Sequence, residues 1–173
     1  SGASVPFKYK GANQTSIVTG DNSDMDTIGD WTNGSGGVAS VSSGGGQAGN
    51  YLICTTGSSG STWIYHDQAT TIGKSYRVSA YFKKGSSTSA DLRVGTAEGG
   101  VQNGYVFDNA TDADWALHTF EFIATAATTY LSFTLSDYSK TGFLDTVTMV
   151  PIGAVAEYDG SGAGEKIWGD KSG

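Results

Sequence analysis

Apolar and polar residues alternate with a period of two through most of this chain. Tyr76, Val78, Ala80 and Phe82 alternate with Arg77, Ser79, Tyr81 and Lys83, and Leu131, Phe133 and Leu135 with Ser132, Thr134 and Ser136. Trp63 and Tyr65 fall on one side of a segment whose other side carries Ile64 and His66; Leu92 and Val94 alternate with Asp91 and Arg93. Val5, Phe7 and Tyr9 repeat the pattern near the start, and the run Phe143 to Val150 repeats it before Pro151. Successive side chains of a strand point to opposite faces, so each run predicts a half-buried strand. Val38 to Val41 and Tyr51 to Thr55 follow Gly-rich stretches, and turn formers such as Thr32-Asn33-Gly34, Gly57-Ser58-Ser59-Gly60 and Asp112-Ala113-Asp114 divide the runs. Helical periodicity is almost absent. About nine or ten short strands without crossover helices predict an all-β chain, an antiparallel two-sheet β-sandwich.

Composition changes this picture at the ends rather than in the middle. The 173 residues include 26 Gly and are rich in Ser and Thr, a bias that in other contexts means disorder. Here 38% of the chain is hydrophobic and 12% aromatic, and the aromatics are spaced along the strands. The expected organisation is a lead-in strand or remnant over residues 1–14, a sandwich over 15–151, and a Gly-rich tail over 152–173 leading to a further module. A net charge of −7 and a pI near 4.5 argue against nucleic acid, whose phosphates demand a basic face. No apolar run reaches the ~18 residues needed to insert in a membrane. The single Cys54, in the apolar run Tyr51-Leu52-Ile53-Cys54, excludes an internal disulfide and reads as a small buried hydrophobe.

Catalytic chemistry finds few residues to carry it. His66 and His118 are the only histidines, no Gly-x-Ser-x-Gly elbow occurs, and Gly160 to Lys166 lacks the spacing of a phosphate loop. The chain is expected not to be an enzyme. Sugars present apolar C–H faces edged by hydroxyls, and are held by flat aromatics beside polar side chains. Trp31, Trp63, Tyr65, Tyr81 and Tyr105 are the aromatic candidates, and Arg77 and Arg93, the only arginines, are the polar ones. Tyr81 with Arg93 is the expected pair on a polar sheet face. The plain alternative for the arginines is a cross-strand ion pair such as Asp91 with Arg77.

Four segments carry a family resemblance. Gly73-Lys74-Ser75-Tyr76-Arg77-Val78-Ser79-Ala80-Tyr81-Phe82-Lys83, Trp115-Ala116-Leu117-His118-Thr119-Phe120-Glu121-Phe122, and Gly142-Phe143-Leu144-Asp145-Thr146-Val147-Thr148-Met149 follow an opening made of Gly20-Asp21 and Gly29-Asp30-Trp31. Together, over about residues 15 to 151, they resemble the jelly-roll carbohydrate-binding modules appended to xylanases. The resemblance implies a galactose-binding-like jelly roll that binds polysaccharide without cutting it, and the candidate ligand-binding set read from the residues is Trp31, Trp63, Tyr65, Arg77, Tyr81 and Arg93. It assigns Trp115 to packing. It also implies a structural Ca2+ tying the first strand to the last, here through Asp21, Asp24 and Asp145, with Asp21, Asp24 or Asp26 standing in for the Glu that the opening motif lacks here. Asn22-Ser23 and Thr146 depart from the acidic residues of that motif.

The tail carries a second resemblance. Ile152-Gly153-Ala154-Val155-Ala156-Glu157-Tyr158-Asp159 followed by Trp168-Gly169-Asp170-Lys171-Ser172-Gly173 is similar to a junction in phage tail-fibre and other virion structural proteins. It implies a glycan- or host-surface-binding domain of a virion fibre, with other virion proteins as partners and a homotrimer in the full-length protein. Two alternatives stand beside this: a binding module of a secreted polysaccharide-degrading enzyme, and a purely structural capsid or tail domain that binds no sugar.

Overall fold

The computed structural model describes residues 15–58 and 62–152; the expected lead-in strand of Val5, Phe7 and Tyr9 and the expected tail from Gly153 lie outside them. One short helix, α1 (Asp21–Asp24), precedes ten strands: β1 (Thr32–Asn33), β2 (Gly37–Ser42), β3 (Tyr51–Thr56), β4 (Trp63–Ala69), β5 (Ser75–Lys83), β6 (Ala90–Gly95), β7 (Gly104–Ala110), β8 (Ala116–Ile123), β9 (Thr128–Leu135) and β10 (Thr141–Ile152). They form two five-stranded sheets, ordered β1-β4-β9-β6-β7 and β2-β3-β10-β5-β8. All pairings between the named strands are antiparallel. The expected sandwich is the observed one.

Alternation decides which side chains enter the core. In β5 every second residue, from Tyr76 to Phe82, is buried. Opposite them Leu92 and Val94 of β6 and Leu131 and Phe133 of β9 close the inter-sheet space. Phe82 stacks on Phe107 at 4.6 Å between ring centroids and meets Phe133 edge-on at 6.0 Å. Such geometries add to the burial term itself. Cys54 lies in this core, as expected, and burial pushes its thiol up to about 12. It is therefore a packing residue and not a nucleophile.

Two local features shape the surfaces. In β10 the register shifts between Asp145 and Thr148, and Thr146 takes a left-handed φ of 50°. The extra residue lets both Leu144 and Val147 point inward and leaves Asp145 on the outward side. Asp145 is nevertheless fully buried, because the 43–50 connection folds over it and Ala48 donates its N–H to Oδ2 at 3.0 Å.

His66, the inward partner of Ile64 in β4, is also buried, and neither ring nitrogen has a hydrogen-bond partner among the described residues. Burial lowers its pKa below 6.5, an effect opposed first by the nearby Gln68 side chain and then by the charges of Asp67 and Asp30. The unfolded chain therefore takes up this proton more readily than the folded one. The contribution is fully present above pH 6.5 and is lost as pH falls through the depressed folded value. The melting temperature is expected to drop between pH 7.5 and pH 5, and His66→Gln to flatten that slope. A His66→Gln profile parallel to the wild type would contradict this account.

Candidate functional site

The outward face of the β1-β4-β9-β6-β7 sheet gathers the chemistry. Register sets Trp63, Thr134 and Asp91 in one row, Tyr65, Ser132, Arg93 and Tyr105 in the next, and Asp67, Tyr130 and Gly95 in a third. The Tyr65 and Tyr130 rings, diagonal neighbours, stand 5.8 Å apart and are half-buried. Arg93 is held by Asp91 at 3.0 Å, and the other oxygen of Asp91 accepts the Asn109 N–H at 2.9 Å. This pair is largely shielded from solvent, which fixes the guanidinium rather than leaving it to sweep the surface.

Trp63 is lodged edge-first between two glycines. A side chain at Gly34 would collide with its pyrrole edge, and one at Gly99 would stand 3.1 Å from its six-membered ring. Gly99 belongs to the β6–β7 connection, residues 96–103, which folds back onto the sheet. Its N–H donates to Ser132 Oγ at 2.8 Å and its carbonyl accepts from Arg93 at 3.3 Å. Consequently Ser132 and Thr134, outward by alternation, are only 0% and 7% exposed.

Of the six expected ligand-binding residues, Trp63, Tyr65 and Arg93 share this face. Trp31 does not. It is 3% exposed, packs on His66 at 5.7 Å and gives its Nε1–H to the Asn22 carbonyl at 3.2 Å, so it has no ring face to offer a sugar. Arg77 and Tyr81 lie on the outer face of the other sheet, because β5 and β6, consecutive in sequence, belong to different sheets. The expected pair of Tyr81 with Arg93 is thus corrected: the two stand on opposite sides of the sandwich. Arg77 instead binds Glu121 of β8 at 2.6 Å, and Asp91 pairs with Arg93, not with Arg77. Tyr130 escaped the sequence reading although the alternation of Tyr130, Ser132 and Thr134 against Leu131 and Phe133 places it outward.

The carboxylates of Asp21, Asp24 and Asp26 bring one oxygen each within 4.8 Å of one another around α1. Asp21 accepts from the Thr27 hydroxyl at 2.6 Å and Asp26 from Asn50 at 3.2 Å. Such a set of hard oxygen donors fits Ca2+. Asp145 is not in this group; it is engaged by Ala48 N–H and by the Thr146 hydroxyl at 3.1 Å. The expected set of Asp21, Asp24 and Asp145 is thus corrected: the carboxylate that joins Asp21 and Asp24 is Asp26.

Fold and face together define a jelly-roll sandwich of the kind found in carbohydrate-binding modules. No family model and no curated protein matches the sequence. Among solved structures, the chain is similar to the CBM22-1–GH10 modules of the Clostridium thermocellum endo-1,4-β-D-xylanase 10B, complexed with xylohexaose, at 17% identity and a TM-score of 0.61 over 81% of this chain. It spans 29% of the length of that structure. A family 16 carbohydrate-binding module matches 78% of this chain and 99% of its own length, at 17% identity and a TM-score of 0.57. The enzymatically active domain of tailspike protein 4 of bacteriophage CBA120 matches 79% of this chain and 21% of its own, at 12% identity and a TM-score of 0.55. At these identities the likeness establishes the fold.

Proposed function

We propose that this chain is a non-catalytic glycan-binding module whose site is the outward face of the β1-β4-β9-β6-β7 sheet. The observation that carries the reading is the convergence of Trp63, Tyr65, Tyr105 and Tyr130 around the Asp91–Arg93 pair. Aromatic rings take the apolar face of a pyranose, and the guanidinium donates to its ring-edge hydroxyls. A single site of this kind binds weakly, and multiple copies raise the avidity. The setting proposed is a phage virion fibre or tail protein, supported by the Trp168–Gly173 junction and by the likeness to a tailspike domain. A second setting, a module of a secreted polysaccharide-degrading enzyme, is supported by the likeness to a xylanase module. A multimerised form displayed on an array of bacterial, algal and plant polysaccharides tests the reading. Silence across the array would leave the purely structural alternative standing.

Calcium belongs to the same proposal, held by Asp21, Asp24 and Asp26 to pin the α1 segment against β10. Ligand bound only to the folded state at about 100 times its Kd adds about 2.7 kcal/mol. Added Ca2+ is thus expected to raise the melting temperature by several degrees, and Asp24→Asn to remove most of the response. The same melting temperature in calcium and in chelator would rule the metal out.

A further inference from the structure

The 96–103 connection stands where a ligand on this face would lie. Between Ala97 and Val101 its contacts with the sheet are few: Gly99 N–H on Ser132 Oγ, the Gly99 carbonyl on Arg93, and the Gly99 position against the Trp63 ring. Its far end is tethered, Asn103 donating its N–H to the Val94 carbonyl at 3.0 Å and accepting the Thr125 hydroxyl on Oδ1 at 2.9 Å, with Gly104 N–H donating to the Val101 carbonyl. Within the segment Gln102 Oε1 accepts from Thr96 N–H and Gly100 N–H donates to the Ala97 carbonyl. No apolar side chain anchors it. Ala97, Glu98, Val101 and Gln102 are all exposed, and the segment that touches the sheet is Gly99-Gly100.

What lies on the face beneath is poorly satisfied. Trp63 Nε1, Arg93 Nε and Thr134 Oγ1 are buried without a hydrogen-bond partner among the described residues. A buried polar group left without a partner destabilises the fold relative to a satisfied one. Three in adjacent rows of one sheet face are an unusual concentration, and all three are groups a sugar hydroxyl can satisfy: two N–H donors and one hydroxyl.

We propose that the β6–β7 connection is a displaceable strap, its Gly99 peptide standing in for a pair of sugar hydroxyls that take its place on Ser132 and Arg93. This rests on the reading of the face as a glycan site and specifies how that site is gated. The chemistry balances group for group. The Gly99 carbonyl is an acceptor for Arg93 and its N–H a donor to Ser132, and a vicinal diol offers both roles. Displacement also uncovers the six-membered ring of Trp63, the part of the indole that Gly99 faces. Glycine at 99 is required twice over: its φ of +69° disfavours any side chain, and a Cβ would press on Trp63. With the strap seated in most molecules, the apparent affinity is the intrinsic one reduced by the open fraction.

Two measurements test this on the intact chain and one variant. Amide hydrogen exchange of the unliganded protein is expected to show Gly99 exchanging at least about 100-fold faster than Leu131 and Phe133 of the adjacent strand, by local opening. Deleting Ala97–Val101 leaves a three-residue hairpin loop, Thr96-Gln102-Asn103, and is expected to tighten binding to an array-positive polysaccharide by about tenfold, as for a site open ~10% of the time. Gly99 protected to the level of Phe133 overturns the strap, whatever the binding result, and needs no variant to fold. So does a shortened chain that melts cooperatively yet binds no tighter than the wild type. Absence of binding by both forms would instead overturn the glycan reading, and with it the ligand side of the strap.

Discussion

Replacing Tyr65 and Tyr130 together by alanine is expected to weaken polysaccharide binding by about 30- to 100-fold while leaving the fold intact. Each ring is half-buried and outward, so its removal opens no hole between the sheets. An aromatic contact of this kind contributes about 1–1.5 kcal/mol, so the pair contributes about 2–3 kcal/mol, and every 1.4 kcal/mol is tenfold in Kd. The rings are in contact with each other at 5.8 Å, so the two single variants need not add. Tyr81→Ala and Arg77→Ala are the matched controls on the opposite sheet, expected to change binding less than twofold. Affinity electrophoresis in a gel containing the polysaccharide reads all five variants at once. If the Tyr81 and Arg77 variants lost binding and the Tyr65–Tyr130 variant kept it, the site would belong on the other sheet.

The largest effect on stability is expected at Phe82. Its ring is fully buried, stacked on Phe107 and edge-on to Phe133, and joins the two sheets at the centre of the core. Phe82→Ala removes this contact and leaves a cavity that well-packed neighbours fill only in part, at a cost of about 3–5 kcal/mol. For a domain of this size that is a fall in melting temperature of roughly 6–20 °C. The adjacent Tyr81→Ala, outward on the same strand, is expected to cost under about 1 kcal/mol. Denaturant titration of the two variants checks the contrast. Equal losses would mean that alternation in β5 does not decide burial there.

Much of the fold is legible residue by residue. Tyr76, Val78, Ala80 and Phe82 are inward and Arg77, Ser79, Tyr81 and Lys83 outward, as the period of two requires, because pleating is a local property of the backbone. Trp63, Tyr65 and Arg93 face outward for the same reason and come together on one sheet. The other three candidates are kept from that face on non-local grounds. Trp31 sits in no long strand, and only the approach of β4 with His66 encloses it. Arg77 and Tyr81 face outward as expected, but outward on a different sheet.

Sequence alone therefore determined strand periodicity and the inner and outer side of most strands. Tertiary structure alone decided which outward faces combine. Consecutive strands β5 and β6 enter different sheets, while β4, β9 and β6, far apart in the chain, lie side by side. It also decided that outward does not mean exposed: the 43–50 connection buries Asp145, and the 96–103 connection buries Ser132. The physical reason is one of range. Alternation follows from the geometry of neighbouring residues, whereas sheet order and loop placement follow from which distant surfaces pack, and a period of two carries no record of that.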